Sequence, residues 1–226
     1  MLLMRSQETY RAVEREALLA TLRRVGPDAP TLCEGWRARH IAGHLAVSEA
    51  AAGIPMVLAN GVRRILPAAV TRRAIAAVQA PGDRLIERAL RPGWERVLGR
   101  LAGGPPALYH YGTLAHLRLV EEWIHHEDIR RADGFPPRQS GPEVEDALWR
   151  GGLTIARYPE FLPGRDGLEL VRPDGTATRI GETVRVTVRG RPGELLLYVA
   201  GRTRAADVTV VGDDAAVASL ERALAV

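Results

Sequence analysis

The stretch Leu117–Ala132, reading LRLVEEWIHHEDIRRA, restricts the fold and chemistry of this chain more than any other. It contains two Glu/His pairs four residues apart, Glu121 with His125 and Glu122 with His126. On a helix such residues stand one above the other on one face. A carboxylate and an imidazole so placed suit zinc or a similar divalent cation. At about 100° per residue, Leu114, Leu117, Glu121, Ile124, His125 and Asp128 share one stripe. Glu122, His126 and Arg130 then point elsewhere, and the Glu122/His126 pair is expected to face solvent. Glu121 and His125 interrupt an otherwise apolar face, where an unpaired charge is costly. Two readings stay open: a metal site, or a buried Glu–His hydrogen bond with no metal.

Composition narrows the class. The chain has 226 residues, 46% hydrophobic and 26% charged, the balance of a globular protein. No apolar run approaches the roughly 20 residues of a membrane span, and MLLMRSQETYRAVERE turns charged too soon for a secretory signal. The single cysteine, Cys33, excludes an internal disulfide and points to a cytoplasmic setting. All 31 basic residues are arginine and the net charge is +4. The acidic residues are interspersed and no basic stripe with aromatics is visible, which argues against nucleic acid as a partner. The arginine bias fits a high-GC bacterial coding sequence.

Periodicity predicts helices over 5–24, 37–52, most of 54–90, 93–102, 107–132 and 143–158. His44 lies on the apolar side of the second helix with Ile41, Val47 and Ala51, as a core histidine or as a ligand. His40 precedes it by one turn, so His40/His44 is a rival metal pair, nearer the helix start. Cys33, in the loop before this helix, reads as a small buried hydrophobe or as a nucleophile. The tract Pro136–Pro142 is the best linker. Beyond it come strand-like segments at 168–171, 176–180, 184–188 and 207–211, an apolar run at 193–199 of ambiguous type, and a closing helix from Asp213. The fold class is therefore α+β, a helical bundle over 1–138 followed by a small α+β module over 139–226. The long helix also carries Leu119 and Trp123 away from the Glu121/His125 stripe. They need a covering surface, and the C-terminal module is the natural one.

The loop and second helix, TLCEGWRARHIAGHL, resemble the opening motif of the mycothiol-dependent maleylpyruvate isomerase family. The segment VEEWIHHEDIRRADG resembles that family's E-x-x-x-H-x-x-D helix, and GELLLYVAGR through DVTVVGD resembles its C-terminal module. The resemblance implies a DinB-like four-helix bundle with a metal site, followed by a sterol-carrier-like α+β domain. It implies three metal ligands, at His44, Glu121 and His125. Position 40, often acidic in the family, is histidine here, and residues 48–80 match the pattern poorly.

With three protein ligands, a divalent metal, zinc by expectation, keeps an open position. The resemblance implies mycothiol as the thiol bound there, activated to attack a small electrophile. The expected activity is that of a mycothiol-dependent S-transferase or isomerase. Asp128, one turn beyond His125, is a candidate for orienting an imidazole or for an ion pair with a nearby arginine. Arg130 and Arg131 would attract an anionic substrate or lie on the solvated surface. The alternatives are a metal-binding stress protein without catalysis, or a carrier of apolar ligands through the C-terminal module.

Overall fold

The computed structural model describes residues 2–51, 82–104, 112–156 and 167–224. The expectations for 54–81 and for 107–111 lie outside these residues. The helices are α1 (Leu2–Val25), α2 (Ala38–Ala51), α3 (Gly82–Leu90), α4 (Trp94–Ala102), α5 (Gly112–Ala132), α6 (Pro142–Ala156), α7 (Pro192–Val199) and α8 (Asp214–Leu224). The strands are β1 (Leu168–Val171), β2 (Ala177–Ile180), β3 (Val186–Arg189) and β4 (Thr209–Gly212). The α+β class expected from the sequence is what forms. Among the described residues no helix is long and apolar enough to cross a membrane.

By its contacts the chain divides into two compact units, Met1–Ala115 and His116–Val226. The division falls inside α5. In the first unit α2 packs on α3 and α4, and α1 packs on α4 and α2. Leu18, Leu19 and Leu22 of α1, Ile41 and Leu45 of α2, Ile86 of α3, and Val97, Leu98 and Leu101 of α4 are buried. Gly43 lets α2 approach α3, since a Cβ there would stand 3.0 Å from the Ile86 side chain. Arg15 ties α1 to its neighbours through the Leu101 carbonyl (2.8 Å) and the Glu49 carboxylate.

The second unit explains the position of the division. Leu119, Val120, Trp123 and Ile124 of α5 belong to one core with Ala147 and Leu148 of α6, Leu168 and Leu170 of β1, Val186 and Val188 of β3, Leu195–Val199 of α7, and Leu220 of α8. The covering surface that Leu119 and Trp123 required is thus supplied by the C-terminal elements. The ambiguous run at 193–199 is a helix, buried over its whole length. Pro192 opens it at a position where a missing N–H costs nothing, and a helix without a polar side belongs inside. A Cβ on Gly193 would lie 2.7 Å from the Trp123 ring, so only glycine allows α7 to seat against α5. The Gly193 N–H is satisfied by the Glu145 carboxylate at 3.0 Å, and burial there pushes the Glu145 carboxyl up.

The sheet has the order β2-β1-β3-β4. β1 pairs antiparallel with β2 and parallel with β3, and β3 pairs antiparallel with β4. Leu168 and Leu170 turn into the core, while Glu169 turns outward to meet Arg179 at 2.7 Å. The sheet thus shows the alternation of a one-sided, half-solvated layer. Asp213 caps α8, accepting the Ala216 N–H at 3.1 Å, as the sequence predicts.

Candidate metal centre

Between Arg118 and Ile129, α5 is buried around nearly its whole circumference. Arg118, Glu122, His126, Glu127 and Asp128 are as inaccessible as Trp123, whereas Glu121 and His125 are only partly covered. This corrects the expectation that Glu122 and His126 face solvent. The apolar period assigned the inward side of the helix to Glu121 and His125, yet theirs is the more exposed pair. It missed that arginines let the other side of the helix go inward.

Five arginines neutralise this buried charge, one of them, Arg202, on Asp128. Arg118 donates from Nε to Glu122 (3.0 Å) and from a terminal nitrogen to Glu121 (2.8 Å). Glu127 receives Arg130 (2.7 Å), Arg131 (2.8 Å) and Arg138 (2.7 Å). Arg131 also forks onto Glu194 of α7, at 2.7 and 3.0 Å. The expectation of a solvated Arg130 and Arg131 is therefore wrong: the Arg131 side chain is 6% exposed and both residues neutralise Glu127. Arg138 lies over the Trp123 ring, 5.2 Å from its centroid, and meets His126 Nδ1 at 3.2 Å. The i,i+3 and i,i+4 spacings of Arg118, Glu122, Glu127, Arg130 and Arg131 carry a sequence signal for this network. A pattern of apolar residues alone does not see it.

Glu121 and His125 occupy successive turns of α5, their side chains 28% and 12% exposed. His125 Nδ1 and Asp128 Oδ2 are 2.9 Å apart. Asp128 is fully buried and held by Arg202, which donates to Oδ1 (2.8 Å) and Oδ2 (2.7 Å). The two sequence readings of Asp128, imidazole partner and arginine pair, are both realised. A carboxylate accepting from Nδ1–H fixes the tautomer in which Nε2 is the basic nitrogen. Arg202 is a participant that sequence reasoning did not find. It lies 74 positions away, and no local spacing announces it.

Burial by itself would raise the pKa of Asp128, but the hydrogen bonds from His125 and Arg202 outweigh it and hold the carboxyl well below the usual range. A depressed folded-state pKa gives stability that is present above the unfolded value, about pH 4, and is lost as pH falls toward the folded value. Asp128→Asn is expected to lower stability near neutral pH by about 3–5 kcal/mol, because it strands Arg202. It should also flatten the acid limb of the stability profile. Urea titrations of both proteins from pH 7 to pH 3 check this; parallel profiles would refute it.

In the first unit, His44 lies on α2, partly buried, with its ring 5.4 Å from that of Trp36. His40 has another task. Its Nδ1 accepts the Arg37 N–H at 2.8 Å while its own N–H donates to the Arg37 carbonyl at 2.8 Å. This reciprocal pair closes the first turn of α2 in the manner of a capping box. A nitrogen so engaged is unsuited to a metal, which argues against the His40/His44 pair. Cys33 is partly buried, in a turn where its carbonyl accepts the Trp36 N–H (3.0 Å) and the Thr31 hydroxyl (3.3 Å).

The donor set of α5 fits a divalent cation. It offers a partly exposed carboxylate and an imidazole with a fixed tautomer, each braced by a largely buried arginine system.

Comparison with known proteins agrees with this reading of the fold. A solved structure of the mycothiol-dependent maleylpyruvate isomerase superposes with a TM-score of 0.54 at 20% identity, over 93% of this chain and 94% of that one. The structure of a histidine-to-alanine mutant of the mycothiol-dependent maleylpyruvate isomerase gives 0.54 at 19% identity, with the same coverage. At such identity the likeness speaks to the fold. No curated protein matches the sequence. The model of the mycothiol maleylpyruvate isomerase N-terminal domain matches residues 12–130, more than half of the sequence, and the chain belongs to that family.

Proposed function

We propose that this protein is a divalent-metal-dependent enzyme that uses a low-molecular-weight thiol, mycothiol, in S-transfer to or isomerisation of a small electrophile. His44, Glu121 and His125 are the proposed ligands, two imidazoles and a carboxylate, none of them fully buried. Zinc suits that donor set. When bound, the metal supplies a local positive charge that lowers the pKa of a thiol to near neutrality. The protein's own residues do the rest. Asp128, gripped by Arg202, would hold His125 in the tautomer whose other ring nitrogen is free to accept the cation. The family to which the chain belongs, together with the Asp128–His125 pair, supports this reading. A cytoplasmic location is part of the proposal.

The single observation that carries it is the Arg202–Asp128–His125 relay. A buried carboxylate held by an arginine fork and aimed at an imidazole is the arrangement that supports metal-ligating histidines. The rival reading as an apolar-ligand carrier gains no support from the apolar recess among the described residues of the second unit. The recess lined by Leu148, Trp149, Leu170, Leu195 and Leu196 has room for about one water. Purified protein, stripped of metal and then reloaded with zinc, is to be assayed for mycothiol-dependent isomerisation of maleylpyruvate and conjugation of simple electrophiles. Turnover that needs both zinc and thiol is expected. Stoichiometric zinc with no turnover on any electrophile would leave a metal-binding protein without catalysis.

A further inference from the structure

We infer that Arg118 is a positioning residue that makes Glu121 a one-oxygen ligand and so sets the coordination number of the metal; the inference rests on the metal reading above. The Arg118 side chain is 1% exposed, a charge that stays inside only because it is paired. Its Nε is anchored on Glu122, itself 1% exposed, at 3.0 Å. One terminal nitrogen then reaches Glu121 Oε2 at 2.8 Å. Three residues on one helix thus form a chain from an immobile carboxylate, through a rigid guanidinium, to the carboxylate proposed as ligand.

Two consequences follow from general coordination chemistry. A carboxylate with one oxygen held by a guanidinium meets a cation through the other. That favours a small cation of low coordination number, such as zinc, over one that takes carboxylates through both oxygens, as calcium does. Orientation by the guanidinium also removes rotamer freedom that the glutamate would otherwise lose on binding. The Glu122 position, which does not ligate, therefore acts at the site through Arg118. This gives the second Glu of the E-E-x-x-H-H stretch a task that its spacing does not reveal.

The test uses full-length protein in three forms: wild type, Arg118→Lys, and Arg118→Met combined with Glu122→Gln, which removes both charges of the buried pair together. Zinc affinity is measured by chelator competition. Cobalt(II) replaces zinc for visible spectroscopy, because the intensity of its bands reports coordination number whatever the stability of the fold. Wild type is expected to give the strong bands of a four-coordinate site. The double variant is expected to bind zinc about 10- to 100-fold more weakly, the usual cost of losing a residue that orients a ligand. Its cobalt bands should weaken as Glu121 turns to offer both oxygens. Arg118→Lys, a point charge without the fork, should fall between the two. Wild-type affinity and spectrum in every folded variant would overturn the role of Arg118 while leaving the metal reading standing. If the double variant does not fold, an unchanged affinity and spectrum in Arg118→Lys overturns it equally. A wild-type protein that binds neither zinc nor cobalt overturns the metal reading and this inference with it.

Discussion

Glu121→Ala and His125→Ala are each expected to abolish stoichiometric zinc binding while leaving the protein folded. Each removes one of three proposed protein ligands, so the loss should exceed the roughly 10- to 100-fold that follows removal of a supporting partner. Both side chains are partly exposed, so truncation opens no deep cavity. His126→Ala provides the contrast. His126 is buried, and its ring meets Arg138. Its loss should cost about 1–3 kcal/mol through the stranded donor, with zinc retained. The two classes of variant separate on different axes, metal content by elemental analysis and unfolding midpoint by calorimetry. Equal zinc loss in His126→Ala and His125→Ala would mean that the wrong pair has been assigned to the metal.

A fragment ending at Ser140 is expected to lose both its stability and its metal, although all three proposed ligands precede that point. Leu119, Val120, Trp123 and Ile124 pack into a core made by α6, α7, α8 and the sheet. Exposing an apolar side chain of this size costs about 1.5–3 kcal/mol. Four together approach the whole stability of a typical domain, about 5–15 kcal/mol. The loss falls on the turns of α5 that carry Glu121 and His125. Arg202, which secures Asp128, and Glu194, which secures Arg131, go with the deleted segment. Aggregation, or a soluble fragment with a much lowered midpoint and no zinc, is the expected outcome of comparing residues 1–140 with the full chain. A soluble fragment with full-length zinc affinity would show that α5 is held by the N-terminal helices alone.

The contrast between Glu121/His125 and Glu122/His126 shows how far one-dimensional reasoning reaches. Spacing in the sequence by itself determined that carboxylates and imidazoles would stand one turn apart on a long helix, because the α-helical repeat follows from the backbone alone. It also determined the strand at 168–171, the Asp213 cap and the α+β class, which depend on local pattern and on side chains bonding within a few residues. Motif resemblance selected His44, Glu121 and His125 from among six histidines and many carboxylates. Burial was another matter. Glu122, His126, Glu127 and Asp128 have the composition of a solvated face, and only the folded chain brings Arg138 and Arg202 to them. The helical state of 193–199 was likewise undecided locally, since an uninterrupted apolar run suits a buried helix and a buried strand alike. That the C-terminal module covers Trp123 was legible from its place on the helix, but the close seating of α7 against its ring depends on Gly193, which leaves the space. Local sequence sets what a helix displays; whether a charge on it meets water or an arginine is a long-range fact, fixed only when distant segments close around it.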